Sequence, residues 1–226
     1  MPDAEMPADL LQQALDAKGF MPADEGALLH RVARERLAHG PALEVGTYCG
    51  KSAIYLGAAA REVASEIGGD QAVVFTVDHH RGSEENQAGW EHHDATLVDA
   101  EFGLMDTLPV FRKTIARAGL EDWVVAVIGR STTVSKHWQI PLSLLFIDGG
   151  HAEEHAQNDY SGWAHWLAAG GYLVIHDVFE RPEDGGQAPY HVYLRAIESG
   201  SFTDVETVGS MRVLRRSAGA AGDAVG

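Results

Sequence analysis

A doubly wound, mostly parallel α/β sheet is the fold predicted for this chain of 226 residues. Three observations carry that prediction. Short apolar runs alternate with helical patterns along most of the length, as in a parallel sheet covered on both faces. The runs end in acids and glycines, the residues an open sheet collects where its strands deliver a ligand site. Two β-rich pieces, Phe202–Val208 and Met211–Leu214, close the chain in quick succession, as a terminal antiparallel pair would.

Taken in order, Ala8–Leu37 reads as one or two amphipathic helices, a cap (1–40) beside the first strand. The remaining strands are expected at Ala42–Val45, Ala72–Val77, Trp123–Ile128, Leu142–Ile147 and Tyr172–Ile175, which makes seven with the closing pair. Helical stretches lie between them near Ser52–Glu66, Leu108–Ala118, His155–Leu167 and Tyr190–Ser199. One segment, His79–Asp106, breaks this rhythm. It is polar and carries His79, His80, Arg81, Glu84, Glu85, Trp90, Glu91, His92 and His93. It reads either as a solvated loop or as a lid or substrate-binding insertion at the carboxyl edge of the sheet. A single domain over 1–216 is expected, with the small, polar tail Ser217–Gly226 disordered.

Composition narrows the function. Lys and Arg total 17 against 33 Asp and Glu, a formal charge of −16 that disfavours a nucleic-acid partner. The lone Cys49 cannot form an internal disulfide and fits a reducing compartment. The first residues lack a basic, apolar leader, and no run approaches the ~20 apolar residues of a membrane span. A cytoplasmic protein with no membrane partner is expected.

The most informative stretch is Leu43-Glu44-Val45-Gly46-Thr47-Tyr48-Cys49-Gly50-Lys51-Ser52. A short strand ends in an acid and two glycines, and a helix follows at once. That turn lets backbone approach a ligand, and the carboxylate can accept hydrogen bonds from a ribose or a charged amino-acid tail. Polar residues recur at the later strand ends: Asp78, then Gly129-Arg130-Ser131, then Asp148-Gly149-Gly150-His151, then His176-Asp177. A carboxylate after the second strand suits a ribose diol. Three decoys are set aside. The Gly46–Ser52 stretch has three residues between its glycines where a phosphate-cradling loop needs four. His151-Ala152-Glu153-Glu154-His155 matches an inverted zinc-protease pattern but lacks an evident third ligand. The doublets His79-His80 and His92-His93 present adjacent residues, which point apart on regular elements.

On these residues the chain resembles the class I S-adenosylmethionine-dependent methyltransferases. Leu43–Ser52 is similar to the motif of the metal-dependent catechol type. Phe146–His151 and Gly170–Asp177 resemble a bacterial group acting on sugars and natural products, which includes enzymes of mycobacterial methylmannose polysaccharides. The resemblance covers roughly Leu37 to Arg215 and implies a Rossmann-like methyltransferase fold. It also implies that Glu44, Gly46, Tyr48 and Ser52 line the methionine pocket, Asp78 holds the ribose, and Gly129, Arg130 and Ser131 flank the adenine. Asp148 would lie near both the cofactor and a divalent cation, Mg²⁺ or Mn²⁺, with His176 and Asp177 completing the metal site. His151 would be the general base.

The implied chemistry is coherent. A cation acidifies and orients an alcohol, and a neutral imidazole takes its proton. His176 stands where the catechol enzymes have a carboxylate, so it lies either outside the ligand shell or in one that tolerates a softer ion. The hydrogen-bonding residues near the site, with only an occasional Trp, point to a small-molecule or oligosaccharide acceptor, methylated on a hydroxyl of a sugar or glycosylated natural product. A phenolic or polyketide acceptor, and a non-catalytic cofactor-binding module, are the alternatives. Homodimerisation is left open.

Overall fold

The computed structural model describes residues 5–68, 72–83, 86–87, 89 and 93–226. Its strands are β1 (Ala42–Val45), β2 (Val74–Asp78), β3 (Val124–Ile128), β4 (Leu142–Ile147), β5 (Leu167–Ile175), β6 (Phe202–Val208) and β7 (Met211–Arg216). They form one sheet in the order β3-β2-β1-β4-β5-β7-β6. The first five are parallel, whereas β7 runs antiparallel to both β5 and β6, so the sheet is mixed rather than wholly parallel. From β1 the chain winds outward to β3, then returns to lay β4 on the other side of β1. That reversal opens a crevice at the carboxyl ends of β1 and β4.

Side-chain parity assigns each strand residue to a face. Ala42, Val74, Leu144, Phe146, Tyr172 and Val174 share a core with α1 (Ala8–Asp16), α2 (Ala23–Leu37), α3 (Lys51–Ile67) and α4 (Leu108–Ala118). Leu43, Val45, Leu145, Ile147, Leu173 and Ile175 pack on the other face with α6 (Glu153–Trp163) and α7 (Ala188–Glu198). A short helix, α5 (Ser131–Val134), follows β3 on that second face and was not anticipated. The cap is two helices because Gly19 and Pro22 interrupt it, and α2 starts directly after Pro22. At Gly26 a Cβ would lie 2.3 Å from the Tyr55 ring, so α2 can seat this closely on α3 only with glycine there.

Two expectations change. The helix expected at His155–Leu167 ends at Trp163, and β5 begins at Leu167, five residues earlier than the apolar run Tyr172–Ile175 suggested. The expected loose tail is instead pinned. Arg216 is buried, and its guanidinium donates to the carbonyls of His165, Ala218, Ala220 and Asp223. Tyr160 donates to the Val225 carbonyl at 2.9 Å, and Val225 is buried against the second face. A polar composition hid this anchor, because the carbonyls that hold the tail belong to every residue type.

The part of 79–106 that is described docks onto the body. His80 is buried, and its Nδ1 pairs with Thr107 Oγ1 at 2.7 Å. Leu97 and Met105 bury against Cys49, beside a bridge between Val98 and Met105. Lys18, between α1 and α2, forms an ion pair with Asp94. Glu84, Glu85, Trp90, Glu91 and His92 lie outside the described residues. Among the described residues no helix is long and apolar enough to cross a membrane.

Candidate active site

Adjacent strands carry the acids to one rim. Glu44, Asp78, Asp148 and Asp177 stand at the carboxyl ends of β1, β2, β4 and β5, which are neighbours in the sheet. Cross-strand hydrogen bonds lock those ends together: Gly46 N–H to Val77 at 3.0 Å, Asp148 N–H to Val45 at 2.9 Å and His176 N–H to Ile147 at 3.1 Å. Gly46 is required by the backbone itself. Its φ is +84°, and a Cβ there would lie 2.2 Å from the Asp148 carbonyl oxygen.

Glu44 is fully buried. Ser52 donates to its Oε1 at 2.5 Å, while Oε2 is buried and has no hydrogen-bond partner. Burial pushes its pKa up to about 8, against the Ser52 hydrogen bond and the nearby Thr47 hydroxyl, which favour the charged form. Ser52 therefore acts by holding Glu44, and the unpartnered oxygen is what a donor from a ligand would satisfy.

Asp78 is committed to the turn after β1. Its Oδ2 accepts from the backbone N–H groups of Thr47 (3.1 Å) and Tyr48 (2.9 Å), and its Oδ1 from that of His80 (2.6 Å). A carboxylate has about four lone-pair positions, so these three bonds leave one acceptor direction open. Tyr48 adopts φ +49° in this turn, and its ring lies 5.7 Å from that of the exposed Phe20. Lys51 reaches away from the loop to the carbonyls of Leu15 and Ala17, which disposes of a phosphate-cradling role.

After β3, Gly129 is half-buried and Arg130 exposed. The Ser131 hydroxyl donates to Asp159 at 2.5 Å and accepts from the Trp163 indole at 2.8 Å. Its side chain thus ties α5 to α6. Asp159, missed by sequence reading, is pushed up to about 6 by burial, and a Cβ at Gly149 would lie 2.7 Å from its Oδ2.

The densest cluster joins β4 and β5. His151 Nε2 meets Asp177 Oδ2 at 2.9 Å. His176 Nδ1 faces Asp148 Oδ1 at 2.9 Å and Asp177 Oδ2 at 3.3 Å, and its Nε2 meets Glu25 Oε2 at 2.6 Å. Burial disfavours the charged ring of His176, yet the carboxylates around it outweigh that and raise its pKa well above the histidine range. Burial pulls Asp177 upward, but the two histidines hold it below the usual carboxylate range. Asp148 is raised, with burial the largest influence. Asp177 sits at φ +56°, a strained conformation for aspartate that turns its carboxylate toward both histidines.

Donor atoms of Asp148, His176 and Asp177 all lie within 4.8 Å of one another, a mixed nitrogen and oxygen set that fits a divalent cation. Glu154 and His155 are exposed and stand outside this group, so the inverted zinc-protease pattern is not assembled.

Residues 43–178 match the family described as methyltransferase domain. This chain belongs to that family. The methyltransferase shares its fold with several solved structures. PaMTH1 of Podospora anserina, solved with S-adenosylhomocysteine, is 18% identical, with a TM-score of 0.65 over 95% of this chain and 90% of that one. The O-methyltransferase TomG of Streptomyces achromogenes, in complex with S-adenosylmethionine, is 18% identical, with a TM-score of 0.61 over 95% and 92%. An O-methyltransferase of Bacillus cereus in complex with S-adenosylhomocysteine is 17% identical, with a TM-score of 0.60 over 93% and 92%.

Proposed function

We propose that this methyltransferase transfers a methyl group from S-adenosylmethionine to a hydroxyl oxygen of a small-molecule or oligosaccharide acceptor in the cytoplasm, with help from a divalent cation. The observation that carries the reading is the pairing of His151 with Asp177 on the rim that also holds Glu44. The unpartnered Glu44 oxygen suits an ammonium donor, and an acidic rim suits a cationic sulfonium. Glu44, Gly46 and Tyr48 would hold the methionine end, Asp78 the ribose, and Gly129 with Arg130 the adenine. Ser52 and Ser131 would support the pocket through Glu44 and Asp159. When bound, the cofactor supplies an electrophilic methyl group, and a cation held by Asp148, His176 and Asp177 supplies Lewis acidity.

The chain's own part is proton handling and alignment. Asp177 orients the His151 ring and stabilises the imidazolium that forms when His151 takes the hydroxyl proton. The docked segment 93–106 and the exposed Phe20 beside Tyr48 would border the acceptor, an aromatic face among polar groups as a sugar requires. One observation favours a second version without a cation: both ring nitrogens of His176 already have carboxylate partners, Asp148 and Glu25.

The test is methyl transfer from labelled cofactor to a panel of sugars and phenols, before and after EDTA. Loss of turnover on chelation, restored by Mg²⁺ or Mn²⁺, supports the cation; unchanged turnover selects the second version. His151→Ala should lose about 10²–10⁴-fold in kcat while still binding S-adenosylhomocysteine. Full activity in that variant removes His151 as the base.

A further inference from the structure

Glu25 belongs to no motif, yet it is among the most constrained carboxylates of the described residues. It lies in the first turn of α2 and is 3% exposed. Its Oε1 accepts from the Ser210 backbone N–H at 2.5 Å and the Ser210 hydroxyl at 3.0 Å. Its Oε2 accepts from His176 Nε2 at 2.6 Å. The turn between β6 and β7 closes around it so tightly that a Cβ at Gly209 would lie 2.2 Å from Oε1. The β6–β7 turn thus holds one oxygen of Glu25 while α2 presents the other to a ring nitrogen of His176.

A buried carboxylate is costly unless its lone pairs are used. Here they are used to hold a proton on Nε2. A histidine that ligates a metal through one nitrogen generally donates the other N–H to a carboxylate, which sets the tautomer and raises ligand basicity. The geometry has that arrangement with the correct polarity. Nε2 is turned inward to Glu25, and Nδ1 is turned outward to Asp148 and Asp177.

We propose that Glu25 is a positioning residue for the cation site: by fixing the proton on His176 Nε2 it presents Nδ1 to the opening between Asp148 and Asp177, and so makes a site that prefers Mn²⁺ to Mg²⁺. This rests on the cation reading above. The hydrogen bond from Nδ1 to Asp148 is what the ion replaces, with its proton leaving to solvent. Magnesium ions demand oxygen ligands, whereas transition ions accept an imidazole nitrogen among carboxylates.

The test is titration calorimetry of the intact protein with Mn²⁺ and with Mg²⁺, for the wild type, Glu25→Gln and Glu25→Ala. The wild type should bind Mn²⁺ at least about tenfold tighter than Mg²⁺. Both variants should lose about 10–100-fold in Mn²⁺ affinity with S-adenosylhomocysteine binding unchanged. Wild-type Mn²⁺ binding that the variants retain overturns the role of Glu25 and leaves the cation reading standing. No Mn²⁺ binding by the wild type overturns both. Should the variants fail to fold, ¹⁵N spectra of wild-type His176 with Zn²⁺ decide the matter. A protonated Nε2 with the ion on Nδ1 supports the inference, and an ion on Nε2 overturns it.

Discussion

Replacing Glu44 with glutamine is the most direct probe of the rim. The carboxyl is fully buried, and its pKa rises from 4.5 to about 8. Between those two values the folded chain keeps a proton on Glu44 that the unfolded chain has released. Stability therefore falls as pH rises through that window. Each pH unit within it is worth about 1.4 kcal/mol, so the carboxyl costs about 3 kcal/mol at pH 7 and less than about 1 kcal/mol at pH 5 by the same linkage. Glutamine is neutral throughout and keeps an acceptor for Ser52. Glu44→Gln should accordingly raise Tm by about 6–12 °C at pH 7 and by only about 2 °C at pH 5, taking about 2–4 °C per kcal/mol for a chain of this size. Thermal melts of both proteins from pH 5 to pH 8 measure it. The same variant should bind S-adenosylhomocysteine about 10–100-fold more weakly, because it turns an amide in place of an acceptor toward the ligand's ammonium, and a hydrogen bond to a charged group is worth about 1.5–3 kcal/mol. A Tm difference that stays flat across the range refutes the reasoning, since Glu44 would then titrate alike in the folded and unfolded chains.

Two further outcomes follow from the packing. Gly46→Ala places a Cβ 2.2 Å from the Asp148 carbonyl at φ +84°; left-handed strain and overpacking together should cost about 2–5 kcal/mol, and calorimetry should show cofactor binding lost with it. Arg216→Ala removes a buried guanidinium that gathers five carbonyls, those of His165, Leu167, Ala218, Ala220 and Asp223. It should lower Tm by about 6–12 °C, equivalent to about 3 kcal/mol, and expose residues 217–226 to limited proteolysis. A tail that remains protected would show that Val225 and Tyr160 suffice to hold it.

The legible part of the site was the part written locally. Glu44 and Gly46 could be found because a strand end, an acid and a glycine are consecutive, and a parallel strand delivers its last residue to the carboxyl edge. His151, His176 and Asp177 were legible for the same reason. Parity along β5 even places His176 on the face of Tyr172 and Val174, the face that α2 covers. Asp78 and Ser131 were found at the right strand ends, but their hydrogen bonds were not. The partners of Asp78 are backbone amides that any sequence supplies, and those of Ser131 come from α6.

Order along the chain therefore determined the winding of the sheet, the acidic rim and most of the side chains on it, because strand direction and side-chain alternation are local properties. Glu25, Ser210 and Asp159 entered the site only through folding. Each is brought in by the packing of a distant helix or turn, and each is admitted by a glycine, Gly26, Gly209 or Gly149, whose missing Cβ allows the approach. Close packing between remote segments leaves no periodic trace in either one, so only the tertiary structure could decide which buried carboxylate His176 meets.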